Sequence, residues 1–419
     1  MKERHTEVLV VGAGPVGLLT AVLLAEAGIR VQIIDSEERV TVRSYACALH
    51  PRTLELLARL GLAAPLLEFG VRVPKMAFYD GGTRCTQVAF AALSRDFPFL
   101  LVVPQSALEG MLEQRLRDKS SVAVNWKHRF DDLQTEDDSA VATLERLGGS
   151  AGGYIVPHYD TVVKKRFPLR AQFVVGADGH HSLVRRRLEI EHEYVGRRMA
   201  FVACEFSSDP GPQDEVRVVL DENTANVLWP LPANGYRWGF ELIHSDKLAE
   251  FPEKDREAIP SVERALNEQI RGSIRKLCVH RAPWFSASVK DIGWCKQVIF
   301  EPRVAKSFGR QRCWLVGDAA HQTGPVGMQS MNMGLLEAED LASRLAKILH
   351  EEAPLESLED YDREFRGQWR QLLGITASPK PRNDTNSWAR ARCARILPCL
   401  PGSGEHLSAL ANQLGLDFP

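Results

Sequence analysis

The chain alternates between short apolar runs and amphipathic segments, a pattern that predicts a mixed α/β fold. Residues 7–12 (EVLVVG) form a continuous apolar run typical of a strand buried on both faces. A helix is predicted from there to Glu26, with Gly28 as its C-terminal stop. Residues 30–35 (RVQIID) predict a second parallel strand. The start of the chain therefore predicts a βαβ unit.

Further elements follow from the same reading of spacing and turn residues. We predict helices at 50–60 and 106–117, a hairpin around Asp80-Gly81-Gly82 within 71–103, a meander of strands at 121–175 with a loose loop at 148–153, and a buried strand at 172–177.

The pattern changes over residues 195–300, where strand-like pieces such as VRVVL, NVLWPL and YRWGFEL alternate with turns. One charged helix is predicted at 260–276. This region predicts an antiparallel sheet inserted into the parallel one, and thus a second domain. The remaining predictions are a buried strand at 312–318 (RCWLVGD), a glycine-bearing loop, a helix from about Met333 to His350, and a Pro- and Arg-rich tail from about 380 with a last short helical stretch.

Composition narrows the class of protein. The net charge of −2 offers no field that attracts nucleic acid or an anionic membrane. The eight cysteines contain no CxxC pair, so neither a metal site nor a disulfide framework is expected, which suits a reducing cytosol. The apolar run at 8–28 is long enough for a membrane helix, but its glycines and Pro15 gather at one end and fit a strand, a turn and a helix. We therefore expect a soluble cytoplasmic protein.

The first motif is Gly12-Ala13-Gly14-Pro15-Val16-Gly17, between a predicted strand and a predicted helix. Gly12 suits a tight turn, Gly14 lets the backbone approach a pyrophosphate, and Gly17 allows close helix–strand packing. Asp35 ends the next strand, where a carboxylate can accept hydrogen bonds from ribose hydroxyls. Together these features predict dinucleotide binding.

Two later motifs place an aspartate beside a glycine at the end of a strand. They are Asp178-Gly179 within VVGADGHHSLVRRRL and Gly317-Asp318 within CWLVGDAAHQTGPVGMQSMNMGL. Open α/β sheets bind ligands at the carboxyl ends of their strands. One extended ligand that touches all three motifs fits FAD better than NAD.

In these motifs and their order, the chain resembles the class A flavoprotein aromatic hydroxylases, the family of para-hydroxybenzoate hydroxylase and the polyketide and phenol hydroxylases. The resemblance covers about residues 5–375 and implies a Rossmann-like FAD-binding domain with an inserted antiparallel β-sheet domain for the substrate. The implied boundaries are 1–70, 104–190 and 301–380 for the FAD-binding domain, 71–103 and 191–300 for the substrate domain, and 381–419 for a C-terminal helical tail.

The resemblance also implies a set of FAD contacts. A helix starting after Asn332 adds its positive end to the flavin, and Ser330 departs from the family's usual glycine. Arg185 matches the arginine that trails the second motif. The implied cofactor-binding residues are Gly12, Gly14, Pro15, Val16, Gly17, Asp35, Ser36, Arg43, Gln105, Asp178, Gly179, Gly317, Asp318, Pro325, Gly327, Met328, Gln329, Ser330, Met331 and Asn332.

The reaction implied by the resemblance reduces FAD with NADH or NADPH, captures O2 as a flavin C4a-hydroperoxide, and hydroxylates an aromatic or polyketide-like molecule. Related flavin chemistry (epoxidation, Baeyer–Villiger oxidation or dehydrogenation) and a non-catalytic flavin-binding ligand sensor are the alternatives. The expected partners are a small aromatic substrate and O2, with no nucleic acid, membrane or metal. The chain is expected to be a monomer or homodimer.

Candidate substrate residues lie in the inserted sheet. Tyr236, Trp238 and Phe240 alternate along one strand and share a face, so Tyr236 could hydrogen-bond a phenol while Trp238 stacks on it. The alternative is a face that simply packs on a neighbour. Arg217 is either a partner for a substrate carboxylate or a solvated strand residue. His321 has either a proton-transfer role or a structural one.

Overall fold

The computed structural model describes residues 4–39, 48–118, 122–152, 158–209, 213–243 and 260–418. Within these ranges the helices are α1 (Pro15–Glu26), α2 (Pro51–Arg59), α3 (Ala63–Phe69), α4 (Gln105–Asp118), α5 (Leu183–Arg187), α6 (Pro260–Arg281), α7 (Gln329–Glu351), α8 (Ser357–Leu372), α9 (Ser387–Ile396) and α10 (Gly404–Gln413). The strands of the same ranges are β1 (Arg4–Val11), β2 (Val31–Ile34), β3 (Ala48–Leu49), β4 (Val71–Val73), β5 (Lys75–Asp80), β6 (Thr83–Ala89), β7 (Leu100–Val102), β8 (Val124–Asn125), β9 (His128–Thr135), β10 (Ala140–Gly152), β11 (His158–Gly176), β12 (His192–Tyr194), β13 (Met199–Ser207), β14 (Glu215–Leu220), β15 (Ala225–Leu231), β16 (Gly235–Leu242), β17 (Ile292–Phe300), β18 (Arg303–Ala305), β19 (Gly309–Arg310), β20 (Cys313–Leu315), β21 (His321–Gln322), β22 (Lys380–Pro381) and β23 (Leu416–Asp417).

A mixed sheet with a parallel centre organises the first part of the fold. Its order is β19-β20-β11-β1-β2-β8, and β20, β11, β1, β2 and β8 run parallel. The apolar run of β1 explains its central place, because Val8, Leu9 and Val10 are fully buried. Helix α1 packs against α4 and α7 on this sheet. The predicted βαβ unit is confirmed.

The strands that lead into β11 differ from the prediction. Residues 148–152, expected in a loose loop, belong to β10 and pair with β11 up to Gly152 opposite His158. The glycines are tolerated in the strand because antiparallel pairing supplies their backbone hydrogen bonds. A register shift between Arg146 and Leu147 marks the irregularity.

The second large sheet has seven strands in the order β17-β13-β16-β15-β14-β5-β6. The hairpin predicted around Asp80-Gly81-Gly82 is the β5–β6 pair, and it joins the sheet through a parallel contact between β5 and β14. One face of this sheet shares a core with the parallel sheet, through residues such as Phe201, Val227 and Trp229. The opposite face packs against α6 and forms a separate, smaller core.

Several predicted helix bounds were wrong. Helix α7 begins at Gln329, four residues before the predicted start, and α6 continues to Arg281. The tail contains two helices, α9 and α10, instead of one short stretch. The glycine-rich sequence before Met333 does not indicate a helix. The first turn of α7 forms there because tertiary contacts, described below, hold it.

The apolar run at 8–28 divides into β1 and α1, as its glycines predicted. Across the described residues, no helix combines the length and apolar composition needed to cross a membrane.

One expectation about the cysteines was wrong. Cys204 on β13 and Cys295 on β17 stand opposite each other and form a disulfide, with their Cα atoms 4.1 Å apart. The two residues are 91 positions apart in sequence. Their spacing therefore carried no sign of the pairing, which depends on strand register.

Candidate functional site

The glycine motif closes a tight turn between β1 and α1. Gly12 has φ +105°, and a Cβ there would lie 2.3 Å from the carbonyl oxygen of Ala177. A Cβ at Gly17 would lie 2.0 Å from the carbonyl oxygen of Gly12. Gly14, by contrast, has no other described atom within 4 Å of that position. The motif therefore packs tightly at Gly12 and Gly17 and leaves open space beside the backbone at the start of α1.

Asp35 stabilises this turn from the end of β2. Its Oδ2 accepts a hydrogen bond from the N–H of Ala13 at 2.7 Å, and its Oδ1 accepts one from the N–H of Glu37 at 2.8 Å. Each carboxylate oxygen can accept more than one hydrogen bond. The aspartate can therefore hold the loop and still receive a ribose hydroxyl. Ser36 lies beside it and is exposed.

The second motif lies next to the first, because Ala177 contacts Gly12 and Asp178 follows it. The Oδ2 of Asp178 accepts hydrogen bonds from the N–H groups of Leu183 and Val184, at 2.7 and 3.1 Å, in the first turn of α5. Its Oδ1 is buried and has no hydrogen-bond partner among the described residues. Burial raises the pKa of Asp178 despite these hydrogen bonds. Gly179, with φ +73°, makes the turn that follows.

Arg185 joins the second motif to the third. Its guanidinium donates to the carbonyl oxygen of Ala319 at 2.6 Å and to that of His180 at 3.1 Å. Burial lowers the pKa of Arg185 from its usual value. The arginine therefore acts as a buried strut between two segments that are distant in sequence.

The third motif closes onto the start of α1. Gly317 has φ +61°, and a Cβ there would lie 3.1 Å from Cγ2 of Val16. The N–H of Gly317 donates to the carboxylate of Glu337 at 2.8 Å. Burial raises the pKa of the neighbouring Asp318. All three motifs thus meet around the first turn of α1.

His321 lies behind the third motif, in the protein interior. Its Nε2 is 2.8 Å from the carboxylate of Glu337, and its ring stacks on Trp369 with centroids 3.8 Å apart. Trp369 also donates from Nε1 to Glu337 at 2.7 Å. The His321 side chain is fully buried. This packing favours the structural alternative over a proton-transfer role.

The glycine-bearing loop, residues 324–328, is held by the first turn of α7. Asn332 accepts from the N–H of His50 at 2.8 Å and from the Thr53 hydroxyl at 2.9 Å, and it donates to the carbonyl oxygens of Ala48 and Met328 at 3.0 and 2.8 Å. Met328 takes a left-handed conformation with φ +52°. The asparagine thus secures both ends of the turn into α7.

Ser330, which stands where the family usually has glycine, makes a hydrogen bond that the sequence did not indicate. Its hydroxyl oxygen accepts a hydrogen bond from the N–H of Thr323 at 3.2 Å, across the base of the 324–328 loop. Pro325 and Met331 are half-buried, and Val326 is buried. The loop is therefore closed by this side chain, and α7 starts before Asn332 instead of after it.

Two further residues were predicted to bind the cofactor. Gln105 starts α4 and donates to Glu109 at 2.7 Å. Arg43 lies outside the described residues.

The predicted substrate residues lie on the face of the seven-stranded sheet that packs against α6. Tyr236, Trp238 and Phe240 share that face as expected, but they belong to the smaller core. Trp238 stacks on Phe240 with centroids 4.6 Å apart. Helix α6 covers this face, which favours the packing alternative for the three residues.

Arg217 lies on the same covered face. Its Nε donates to Glu215 at 2.8 Å, and its guanidinium lies 5.0 Å from the ring of Trp284. Both predicted alternatives, a substrate partner and a solvated residue, are therefore replaced by a packed ion pair.

Sequence reasoning missed the opposite face of the seven-stranded sheet, which shares the larger core with the parallel sheet. Trp229 there is fully buried, and its Nε1 has no hydrogen-bond partner among the described residues. Arg237 donates to Glu205 at 3.0 Å on this face. The alternation of side chains along the strand could have indicated this face. Arg237 stands between Tyr236 and Trp238, so its side chain points to the opposite face of the sheet. Met199 links this sheet to the loop, since a Cβ at Gly324 would lie 3.0 Å from its Cε.

A surface cavity of about 500 Å³ lies at the β14–β15 turn, near the end of α6, and none of its lining residues belongs to the motifs. Among the described residues, no group of three or more His, Cys, Asp or Glu side chains is placed to hold a metal ion.

Comparison with known proteins gives this geometry a context. A family model described as FAD binding domain matches residues 5–374. The chain is 27% identical over 387 residues to para-nitrophenol 4-monooxygenase of Pseudomonas sp. (strain WBC-3), covering 88% of this chain and 85% of that protein. It is 28% identical over 374 residues to 6-methylpretetramide 4-monooxygenase of Streptomyces rimosus, covering 88% of this chain and 61% of that protein, less than two thirds of its length.

Solved structures show the same fold. The crystal structure of p-nitrophenol 4-monooxygenase PnpA from Pseudomonas putida DLL-E4 is similar with a TM-score of 0.70 and 23% identity, and the match covers 94% of each chain.

Proposed function

Since the chain belongs to the FAD binding domain family, within the para-hydroxybenzoate hydroxylase-like flavoproteins, we propose that it is an FAD-dependent monooxygenase. The proposed reaction uses NADH or NADPH and O2 to hydroxylate an aromatic or polyketide-like compound. One observation carries the proposal: three motifs distant in sequence meet around the open backbone at Gly14. The oxygen-transfer route expected from the resemblance is part of the proposal.

The described residues fit FAD. The free space beside Gly14, at the start of α1, suits a pyrophosphate that accepts backbone hydrogen bonds. The unpartnered Oδ1 of Asp178 suits a ligand hydroxyl, because a buried acceptor without a donor is costly. The other proposed FAD contacts are Gly12, Pro15, Val16, Gly17, Asp35, Ser36, Arg43, Gln105, Gly179, Gly317, Asp318, Pro325, Gly327, Met328, Ser330, Met331 and Asn332, with Gln329 acting through the loop.

When bound, FAD accepts a hydride from the nicotinamide and supplies an electrophilic oxygen derived from O2. The chain's part is to bind, orient and exclude water. The backbone N–H groups of the 324–328 loop are available to stabilise negative charge at the flavin edge. Gly317, Ala319 and Ala320, around Asp318, are buried, which limits the access of water to the third motif.

We infer that the substrate lies between the 324–328 loop and the face of the seven-stranded sheet that carries Val227, Trp229 and Gly239. The unpartnered Nε1 of Trp229 can donate to a polar substituent of an aromatic ring. Gly239 lies beside Val227 in the pairing of β15 with β16 and presents no side chain there. This face replaces the one that carries Tyr236.

The test begins with the purified protein and its visible absorption spectrum, followed by NADH and NADPH oxidation with a panel of phenols, aromatic acids and polycyclic quinones. We expect the two bands of oxidised flavin and cofactor oxidation that rises with one class of aromatic, with a hydroxylated product by mass spectrometry.

Other results would redirect the proposal. A yellow protein with unchanged nicotinamide oxidation and no oxygenated product across the panel would contradict the hydroxylase and favour a flavin-binding sensor. A colourless protein that does not take up FAD would contradict the binding site itself.

A further inference from the structure

The last part of the chain connects the two sheets. We call residues 387–400 the C-terminal clamp; it comprises α9 and the turn that follows. At one end the ring of Trp388 lies 6.0 Å from that of Phe78 on β5, and Arg392 pairs with Asp80 at 2.9 Å. At its other end the clamp contacts the 324–328 loop. The clamp therefore spans from the seven-stranded sheet to the loop beside the proposed flavin.

Gln329 makes the contact between the loop and the clamp. It is the first residue of α7 and is fully buried. Its Nε2 donates to the carbonyl oxygen of Leu400 at 2.7 Å and lies 3.5 Å from that of Leu397. The side chain therefore points into the clamp.

The loop is fixed on two sides at the same residue. A Cβ at Gly327 would lie 2.7 Å from the carbonyl oxygen of Pro398, so the clamp backbone touches the loop backbone there. On the other side, the Nε2 of His50 is 3.0 Å from the carbonyl oxygen of Gly327. The next residue, Met328, holds an unfavourable left-handed conformation. A strained turn of this kind persists only where its surroundings fix it.

We propose that Gln329 is a positioning residue, which sets the 324–328 loop, and through it the flavin edge, by donating a hydrogen bond to Leu400 of the C-terminal clamp. The inference rests on the proposed function, because it takes this loop as the wall beside the flavin. It assigns to the clamp a part in cofactor placement that a merely terminal tail would not have.

The central variants are Gln329→Met and Gln329→Glu. Methionine keeps the length of the side chain and removes the donor. Glutamate keeps the shape and donates to Leu400 only when it is protonated. A matched control is Gln413→Met, since the Gln413 side chain also ties the end of the chain to the seven-stranded sheet, through hydrogen bonds of 2.8 and 2.9 Å with the backbone of Ala89.

The measurements are the FAD dissociation constant, the position of the visible flavin bands, and the product formed per NAD(P)H consumed. We expect Gln329→Met to weaken FAD binding about tenfold, the size of one buried hydrogen bond, and to shift the bands. It should also lower the yield of product per nicotinamide. Gln413→Met should leave all three unchanged.

The glutamate variant adds a pH signature. A carboxylate facing two carbonyl oxygens is disfavoured, so the protonated form donates at low pH and the contact is lost as pH rises. FAD affinity of Gln329→Glu should therefore fall with rising pH more steeply than that of the wild type or of Gln329→Met. A packing role alone would not produce this difference.

Wild-type FAD affinity and spectrum in Gln329→Met would overturn the inference, as would equal effects in Gln413→Met. Failure of the proposed function looks different. In that case the wild type binds FAD, and the variants change its affinity and bands as expected, but no tested aromatic is oxygenated.

Discussion

The two large sheets carry their chemistry in different ways. In the parallel sheet, the groups proposed to bind FAD stand at strand ends, and glycines with fixed steric demands, such as Gly12 and Gly17, mark them. In the seven-stranded sheet, both faces are buried, one in the larger core shared with the parallel sheet and the other against α6. A site at the ends of strands thus depends on local backbone geometry. A site on the face of a sheet depends on which other elements pack against that face.

The strongest test of this difference uses two glycines of one motif. Gly17→Ala should destabilise the protein by at least about 3 kcal/mol, because its Cβ would overlap the carbonyl oxygen of Gly12. Gly14→Ala should leave the unfolding free energy of the FAD-free protein within about 0.5 kcal/mol, because no described atom lies near that position. Denaturant unfolding and FAD titration measure both.

Gly14→Ala should still weaken FAD binding if the pyrophosphate approaches the backbone there. A Gly14→Ala protein that is as unstable as Gly17→Ala would contradict the division of the motif into a packed part and an open part.

The buried Glu337 offers a second test of the strand-end site. Glu337→Gln should cost about 2–3 kcal/mol, since the carboxylate accepts from both Gly317 and Trp369 and the amide has only one acceptor oxygen. Glu339→Gln, on the same helix, removes an exposed pair with Arg59 and should cost less than about 0.5 kcal/mol. Thermal and denaturant unfolding would show the difference, and equal losses would refute it.

The pH dependence of stability should report on His50. Burial lowers the pKa of His50 from 6.5 to about 3 in the folded protein. Between these values the unfolded chain binds the extra proton, so stability is full above pH 6.5 and falls as pH decreases, by up to about 1.4 kcal/mol per pH unit.

His50→Asn does not titrate in this range. The variant should be less stable at neutral pH but should lose stability less steeply between about pH 6.5 and pH 5. Parallel pH curves for the variant and the wild type would show that His50 is not held neutral against Gly327.

The smallest expected effect is on kcat/KM, and it distinguishes the two faces of the seven-stranded sheet as substrate sites. Trp229→Phe removes a buried donor on the face proposed to bind the substrate and should lower kcat/KM by about tenfold for a substrate with a matching polar group. Tyr236→Phe, on the face against α6, should change it by less than about twofold.

Steady-state kinetics of both variants, with the substrate found in the panel, decides between the two faces. Unfolding curves show that both variants are folded. A larger loss in Tyr236→Phe would place the substrate on the face that carries Tyr236, the substrate alternative of the sequence analysis.

Features set by local sequence were predicted successfully, whereas features set by distant contacts were not. The βαβ unit and the β5–β6 hairpin were confirmed, because glycine, proline and apolar runs encode them locally. The predicted start of α7 was wrong, because Asn332 in its first turn makes hydrogen bonds with Ala48, His50 and Thr53, which are far away in sequence. The choice between a substrate face and a packing face stayed open in the sequence, because period-two alternation indicates two faces but not what covers each of them.

The His321 network and the Cys204–Cys295 pair depended on distant contacts as well. Glu337 and Trp369 come from α7 and α8, and no spacing in the sequence places them beside His321. Strand register alone brings the two cysteines together.

The strand order of the parallel sheet has a consequence for how the protein is made. The central β1 pairs with the end of β11, where Val8 stands opposite Phe173, and β11 in turn pairs with β20, where Val174 stands opposite Cys313. During synthesis, β1 can pair with β2 early, but its pairing with β11 must wait for residue 176, and β20 joins β11 only when residues 313–315 are made. Such long-range pairing is slow. Nascent chains should accordingly depend on chaperones to protect the apolar β1, and an ample flavin supply should favour mature protein by trapping the completed sheet.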